Sequence, residues 1–421
     1  MRRSLLHYTR ILVLPLLAVG LALTGCDSGG SNGGDGNDNG DPSSEVYPAP
    51  SSGNGYAEEI AINIQSADLG IRLEGSSPSS STLQDIYNGN QNSVSSENIQ
   101  LVSGITGPSA TTYGGLPAFA NIKGQILTED LLKSADLESA DSDNPGTAQN
   151  ADELITFYLS EAKHTSSNGV DFSQLSEKGV AGALTYADAA NILNSFRTDQ
   201  VESEEKWNEA FGHFGAPRDF KAFLDLDESG GLSAGSFQDI DGNNTIDLVT
   251  EGVYIWAGYT AERAAAAQST GNDNNFAERA FDAFRDGREA IDNGNTDELS
   301  GPDGFAATAL DAWEATVAVN VIHYTNSLES ALEDVEGEIT RDKVDPAGFQ
   351  DSWGEAKAFA WSLQFESEFS DSQLETIHDK IGNDPPYSEG VNASDYSDDL
   401  AEVQQTIQDA YGFAEENVAQ W

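Results

Sequence analysis

Apolar residues recur along most of this chain at helical spacing and almost nowhere with the strict alternation of a strand. From about Leu116 onward the spacing predicts a helix within Ile126–Ala135 and another over Asp152–Lys163. Asn191–Phe196 continues a segment that opens near Asp171. Across Asn275–Asp292, Phe276, Ala280, Phe284, Gly287 and Ile291 fall on one helical face. The longest helix runs from about Ala307 to Val335, with a stripe of Leu310, Trp313, Val317, Val321, Tyr324, Leu328 and Leu332. Two further helices are expected over Gly354–Phe365 and Leu400–Val418. Long runs of alternating Val, Ile and Thr are missing, so the expected fold is mainly α, a multi-helix domain.

The first residues follow a different pattern. Arg2, Arg3 and Arg10 precede an apolar run from Ile11 to Leu23, which ends Leu23-Thr24-Gly25-Cys26. A basic start, a short apolar core and small residues before a cut describe a secretory leader, residues 1–25. The ending adds a chemistry: the thiol of Cys26 takes a diacylglycerol and becomes the new N-terminus. An uncleaved anchor helix with a chance cysteine is the plainer alternative. Both readings take the chain out of the cytoplasm and hold it on a membrane, expected to be the outer membrane or cell surface. Residues 26–55, rich in Gly, Ser, Asn and Asp, read as a flexible tether. Residues 56–421 make the domain. Its first part, to about Tyr113, is polar and could hold short strands or a helix near Leu83–Tyr87. No second segment is expected to cross a bilayer. Cys26 is the only cysteine, so an internal disulfide, a thiolate metal site and a cysteine nucleophile are excluded.

Charge narrows the partners. The chain has 71 acidic and 20 basic residues, a net charge of −51, and losing the three leader arginines with no acid deepens it to −54. Nucleic acid is excluded as a partner, because its phosphates would be repelled. Six Trp, thirteen Tyr and eighteen Phe argue for a packed interior rather than disorder. A dispersed acidic surface suits a saline habitat, where a Debye length of about 3 Å at molar salt screens self-repulsion.

Between residues 219 and 252 the helical pattern gives way to an acidic, Gly- and Asn-rich insert. Calcium takes hard oxygen ligands from alternate positions of a tight loop. Counting from Asp239, those positions hold Asp239, Asp241, Asn243 and Asp247, Thr245 offers its backbone carbonyl, and Ile246 fills the apolar eighth place. Asn244 stands where Gly is usual, a position Asn tolerates. Glu251 follows one residue later than the usual closing Glu. A weaker copy begins at Asp225, with Asp227 and Ser229, but Ser236 holds its closing place. The two starts are fourteen residues apart, which leaves no room for a helix between paired loops. An ordinary acidic turn is the competing account.

Catalytic motifs are scarce. His164, His213, His323 and His378 lie outside any zinc-protease pattern, and no nucleophile elbow or phosphate loop is present. Ser160-Glu161-Ala162-Lys163 matches SxxK without its companion motifs. Glu209 and His213 are one helical turn apart, and His323 borders the stripe of the longest helix. Each suits a helix-interface histidine better than a ligand or proton-transfer site. No catalytic residue is assigned, and an envelope hydrolase built on His323 or Glu209 stands as the alternative.

Six segments together resemble an uncharacterised family of bacterial lipoproteins, a domain of unknown function. They are SQLSEKGVAGALTYADA (173–189), EKWNEAFGHFGAPRDF (205–220), DIDGNNTIDLVTE (239–251), AFRDGREAI (283–291), WEATVAVNVIHYTN (313–326) and WGEAKAFAWSL (353–363). The family's acidic loop with a trailing Glu maps onto Asp239, Asp241, Asn243, Asp247 and Glu251. Where its members usually carry Tyr, this chain has His213, so the resemblance implies no catalytic role there. The family is similar in export route to imelysin-like lipoproteins found beside outer-membrane metal-uptake systems. The resemblance therefore implies an accessory role in acquiring iron or another metal, with an uptake receptor or an imelysin-like lipoprotein as partner. The function expected is a lipid-anchored envelope binding protein with a structural calcium loop. A structural or adhesive surface protein is a further alternative.

Overall fold

The computed structural model describes residues 45–51, 55–75, 78–132, 148–198, 203–226, 232–268, 270, 275–387 and 390–421. Cys26, the leader and the first part of the tether lie outside the described residues. The chain is mainly helical, and β pairing among the described residues is limited to isolated bridges.

In chain order the helices are α1 (Ala57–Glu74), α2 (Ser80–Tyr87), α3 (Gln91–Val94), α4 (Ile122–Gln125) and α5 (Ala151–Glu161). Next, α6 (Phe172–Val180) passes through a π-helical turn, Ala181–Tyr186, into α7 (Ala187–Arg197). Then come α8 (Glu204–Phe214), α9 (Phe220–Leu226), α10 (Ile255–Gln268), α11 (Phe276–Asn293) and α12 (Phe305–Leu332). The last are α13 (Pro346–Ser362), α14 (Asp371–Ile381), α15 (Ala393–Tyr411) and α16 (Glu415–Val418). Local chemistry sets several starts: Asn150, Asp171, Ser203, Asn275 and Asn392 each accept a first-turn N–H through the side chain.

The axis of the bundle is α12, 28 residues long, which at 1.5 Å per residue is about 42 Å. It is flanked by α7, α11, α13 and α15. It is long and apolar enough to cross a membrane, contrary to the expectation that no segment beyond the leader would be. Ala, Val and Trp side chains on nearly all its faces are buried by neighbouring helices, which accounts for its apolarity. Around its middle, Trp313 meets Tyr186, Phe214 and Trp256 at ring separations of 5.1–5.9 Å. Trp207 donates its indole N–H to the Phe284 carbonyl at 2.7 Å. Outside groups bond to the π-turn: Leu127 N–H donates to the Ala183 carbonyl, and the Trp256 indole N–H donates to the Ala181 carbonyl and the Thr185 hydroxyl.

Three expectations are corrected. The segment 126–135 is not helical where described. Ile126 is extended, Leu127 bonds the π-turn, and Leu131 pairs with Gln149 beside the Asp130–Asn150 bridge. The tether ends earlier than residue 55, because Tyr47 is fully buried, stacks on Phe211 at 3.6 Å and donates to Asn208 at 2.7 Å. Finally, the polar stretch after Tyr56 holds the expected helix near Leu83–Tyr87, which is α2, but also the unexpected 18-residue helix α1. Its buried polar side chains are tied to backbone and side-chain groups distant in sequence. Gln65 bonds Ile86 and Ala120, Ser66 donates to Glu177, and Asp68 accepts from Tyr113 and from the Leu101 N–H.

Candidate metal-binding loop

The insert opens with α9, whose last turn holds Asp225. Asp227 and Ser229, the rest of the weaker copy, lie outside the described residues. After it, residues 235–238 and 251–253 come together. Val253 N–H bonds Ser236, Gly235 N–H bonds Val253, and a bridge links Phe237 to Gly252. This pairing closes the base of a loop over Asp239–Thr250. The loop is also pinned from the side: Ile246 is buried and exchanges backbone hydrogen bonds of 2.7–2.8 Å with Gly107 and Ser109. Ile246, at the apolar eighth position, thus holds the loop from the side.

Inside the loop, carboxylates organise the backbone. Asp239 accepts from the N–H groups of Asn243 and Asn244 at 3.0 and 2.7 Å. Asp241 accepts from the Asn243 N–H and from its side-chain amide. Asn243 Oδ1 in turn accepts from Thr245 N–H at 2.7 Å. Such tight winding requires left-handed backbone, taken by Gly242 (φ 71°) and by Asn244 (φ 66°).

Glu251 completes the arrangement from the base. It is buried, its Oε1 accepts from Ile240 and Asp241, and its Oε2 accepts from Asp247 at 2.8 Å. Its extra residue of spacing is absorbed by a turn, in which Glu251 N–H bonds back to the Asp247 carbonyl at 2.8 Å. One oxygen each of Asp239, Asp241 and Glu251 then lies within 4.8 Å of the others. The carboxylate of Asp247 is not in that group; its Oδ1 caps the turn by accepting from Val249. Among the described residues, no lysine or arginine pairs with these four acids. Three converging carboxylates without a counter-cation form a hard, anionic oxygen site of the kind calcium takes.

Apart from Glu209 and His213, whose donor atoms lie within 4.8 Å of each other, the other sequence candidates are dispersed. Ser160 donates to the Phe157 carbonyl and Lys163 pairs with Glu161, so the SxxK residues do not act together. His164 is held by Asp171 at 3.0 Å, and that hydrogen bond raises its pKa. His323 bonds the Trp421 carbonyl through Nδ1. Burial and the nearby Arg263 guanidinium push its pKa down to about 4, leaving a neutral ring tying α12 to the chain's last residues. Glu209 pairs with Lys206 at 2.5 Å, and His213 Nε2 meets Asp188 Oδ2 at 3.2 Å.

One constellation had no motif to announce it. Lys178 on α6 is buried between Glu177, at 3.0 Å, and Glu355 of α13, at 3.5 Å. Tyr259 donates to Glu355 at 2.9 Å, and Arg263 lies over the rings of Tyr259 and Tyr324. Burial pushes Glu355 up to about 7. The available signal was the charged pair Glu177-Lys178 within an otherwise small and apolar run.

No protein family, curated protein or solved structure was found to match the chain.

Proposed function

We propose that this chain is a lipid-anchored cell-envelope binding protein whose loop at 239–251 holds a structural calcium ion, and that it serves as an accessory to metal uptake. One observation carries the calcium reading: Asp239, Asp241 and Glu251 converge within 4.8 Å on a loop whose base and eighth position are both pinned. The residues suit the ion, since all three donors are carboxylate oxygens. Bound there, calcium supplies positive charge, and the chain's own residues do the rest. Glu251 links the base of the loop to its first limb, Asp239 and Asp241 fix the left-handed turns, and Ile246 carries the loop's position to residues 107–109. The anchor and the uptake role rest on the leader that precedes Cys26 and on the resemblance to envelope lipoproteins. An accessory of this kind needs a stable surface more than a reactive one.

Calorimetry tests the reading. Calcium titrated into the metal-stripped full chain is expected to bind at one site and raise the melting temperature. Asp239→Ala combined with Asp241→Ala is expected to remove the binding and the shift. Titrations with ferrous iron and haem run in parallel, and calcium-selective binding would assign the loop to structure rather than iron capture. A folded chain that binds no calcium would remove the central claim.

A further inference from the structure

A second group of donors lies apart from the calcium loop, where α1, α7 and α8 meet. Glu209 and His213 stand four residues apart on α8 and share a face. Between them Gly212 lets α1 come unusually close. A Cβ at that glycine would lie 2.6 Å from Tyr56 Cβ and 2.8 Å from Glu59 Cβ, so any other residue would drive the helices apart. That approach brings Glu59 to the same face. One donor atom from each of Glu59, Glu209 and His213 falls within 4.8 Å of the others.

The state of His213 is the independent observation. The ring is 1% exposed. Its Nε2 faces Asp188 Oδ2 at 3.2 Å, while Nδ1 is buried without a hydrogen-bond partner. An ordinary interface histidine accounts for the bond to Asp188 but leaves Nδ1 unexplained, because buried polar atoms are normally satisfied. A carboxylate on one ring nitrogen with the other nitrogen available is the arrangement that orients a metal-ligating histidine.

We propose that Glu59, Glu209 and His213 bind a first-row transition-metal dication of the zinc type, with Asp188 as the positioning residue for the imidazole. The mixed donor set separates this site from the loop: imidazole suits zinc and its neighbours, whereas calcium takes oxygen alone. Metal–donor distances of about 2.0–2.2 Å need only a small approach of the three side chains. Lys206, which now holds Glu209 at 2.5 Å, is the cation that the metal displaces. Three protein ligands leave a fourth position for water or an exchangeable ligand, which fits a site that takes up and releases metal.

The test is zinc competition against a chromogenic chelator, using the metal-stripped full chain with calcium present to saturate the loop. One zinc per chain is expected. Glu59→Gln and His213→Gln should each weaken binding at least 100-fold, and Asp188→Asn about 10- to 100-fold. Asp239→Ala with Asp241→Ala should leave zinc affinity unchanged. Cobalt(II) should give a d–d absorption band that His213→Gln abolishes, a signature a merely structural histidine would not produce. If His213→Gln does not fold, the more accessible Glu209→Gln carries the test, with circular dichroism confirming its fold. Zinc binding that is absent from the folded chain, or unaltered in the folded ligand variants, would overturn the proposal.

Discussion

Glu355 shows how one carboxyl group behaves once it leaves the solvent. It is buried beside a single ammonium, Lys178, that Glu177 holds more closely. Burial withholds solvent from the Glu355 carboxylate and the charge of Asp351 adds to that, more than Lys178 offsets, so Glu355 keeps its proton up to about pH 7. An unfolded glutamate titrates near 4.5. Between about 4.5 and 7 the native state therefore holds a proton that the unfolded chain has lost, and this contribution to stability falls as pH rises. The shift bounds the effect at roughly 3 kcal/mol. His323 works in the opposite sense. Its pKa is depressed to about 4, so its contribution is lost as pH falls from about 6.5. Comparing Glu355→Gln with the parent chain cancels that background. Urea midpoints are expected to show the variant gaining on the parent from pH 5 to pH 8, and a difference constant with pH would refute the account.

At the scale of elements, α1 shows what a periodic reading cannot see. Its apolar residues form no narrow stripe, because the helix is buried on most sides, and its polar residues are buried too. Gln65 is the clearest case. Its amide donates to Ile86 and Ala120 carbonyls at 2.9 and 3.0 Å and accepts from Ala120 N–H at 2.8 Å, joining α1 to two connecting segments. Gln65→Met preserves volume but strands buried backbone groups at about 1–3 kcal/mol each. A loss of roughly 3 kcal/mol in denaturant unfolding is expected, and a loss under 0.5 kcal/mol would show that water replaces the amide. Helices with one wet face, such as α5 and α11, and the long α12 with its continuous apolar stripe, were legible in the sequence to within a few residues. The shorter α1 and α10, buried on most sides, were not. The error at 126–131 has a related cause, since those apolar residues face a π-turn and a bridging strand partner far away in sequence. In the site, Asp239, Asp241 and Glu251 could be read because they are local. The turning of Asp247 into a cap depends on the coil of the turn. Glu59 joins His213 only through the α1–α8 contact, which no spacing rule records.

For the whole molecule the governing quantity is a net charge of −51 on a chain whose domain has buried ion pairs and a large aromatic core. The core holds the fold, and the surface charge works against it, since compaction brings like charges closer. Added salt screens this repulsion, with a Debye length that falls from about 10 Å at 0.1 M to about 3 Å at 1 M. The melting temperature is therefore expected to climb with NaCl and to level off once the Debye length drops below the spacing of neighbouring surface acids. Two controls separate screening from other effects. Repeating the series with calcium saturating and with a chelator present removes the loop's contribution. Repeating it near pH 4.5, where about half of the ordinary glutamates are protonated, should shrink the salt increment because there is less charge to screen. A curve that is flat or falling at neutral pH, or an increment undiminished at pH 4.5, would mean that the acids are not under mutual strain in the folded state. Their abundance would then need another cause than adaptation to salt.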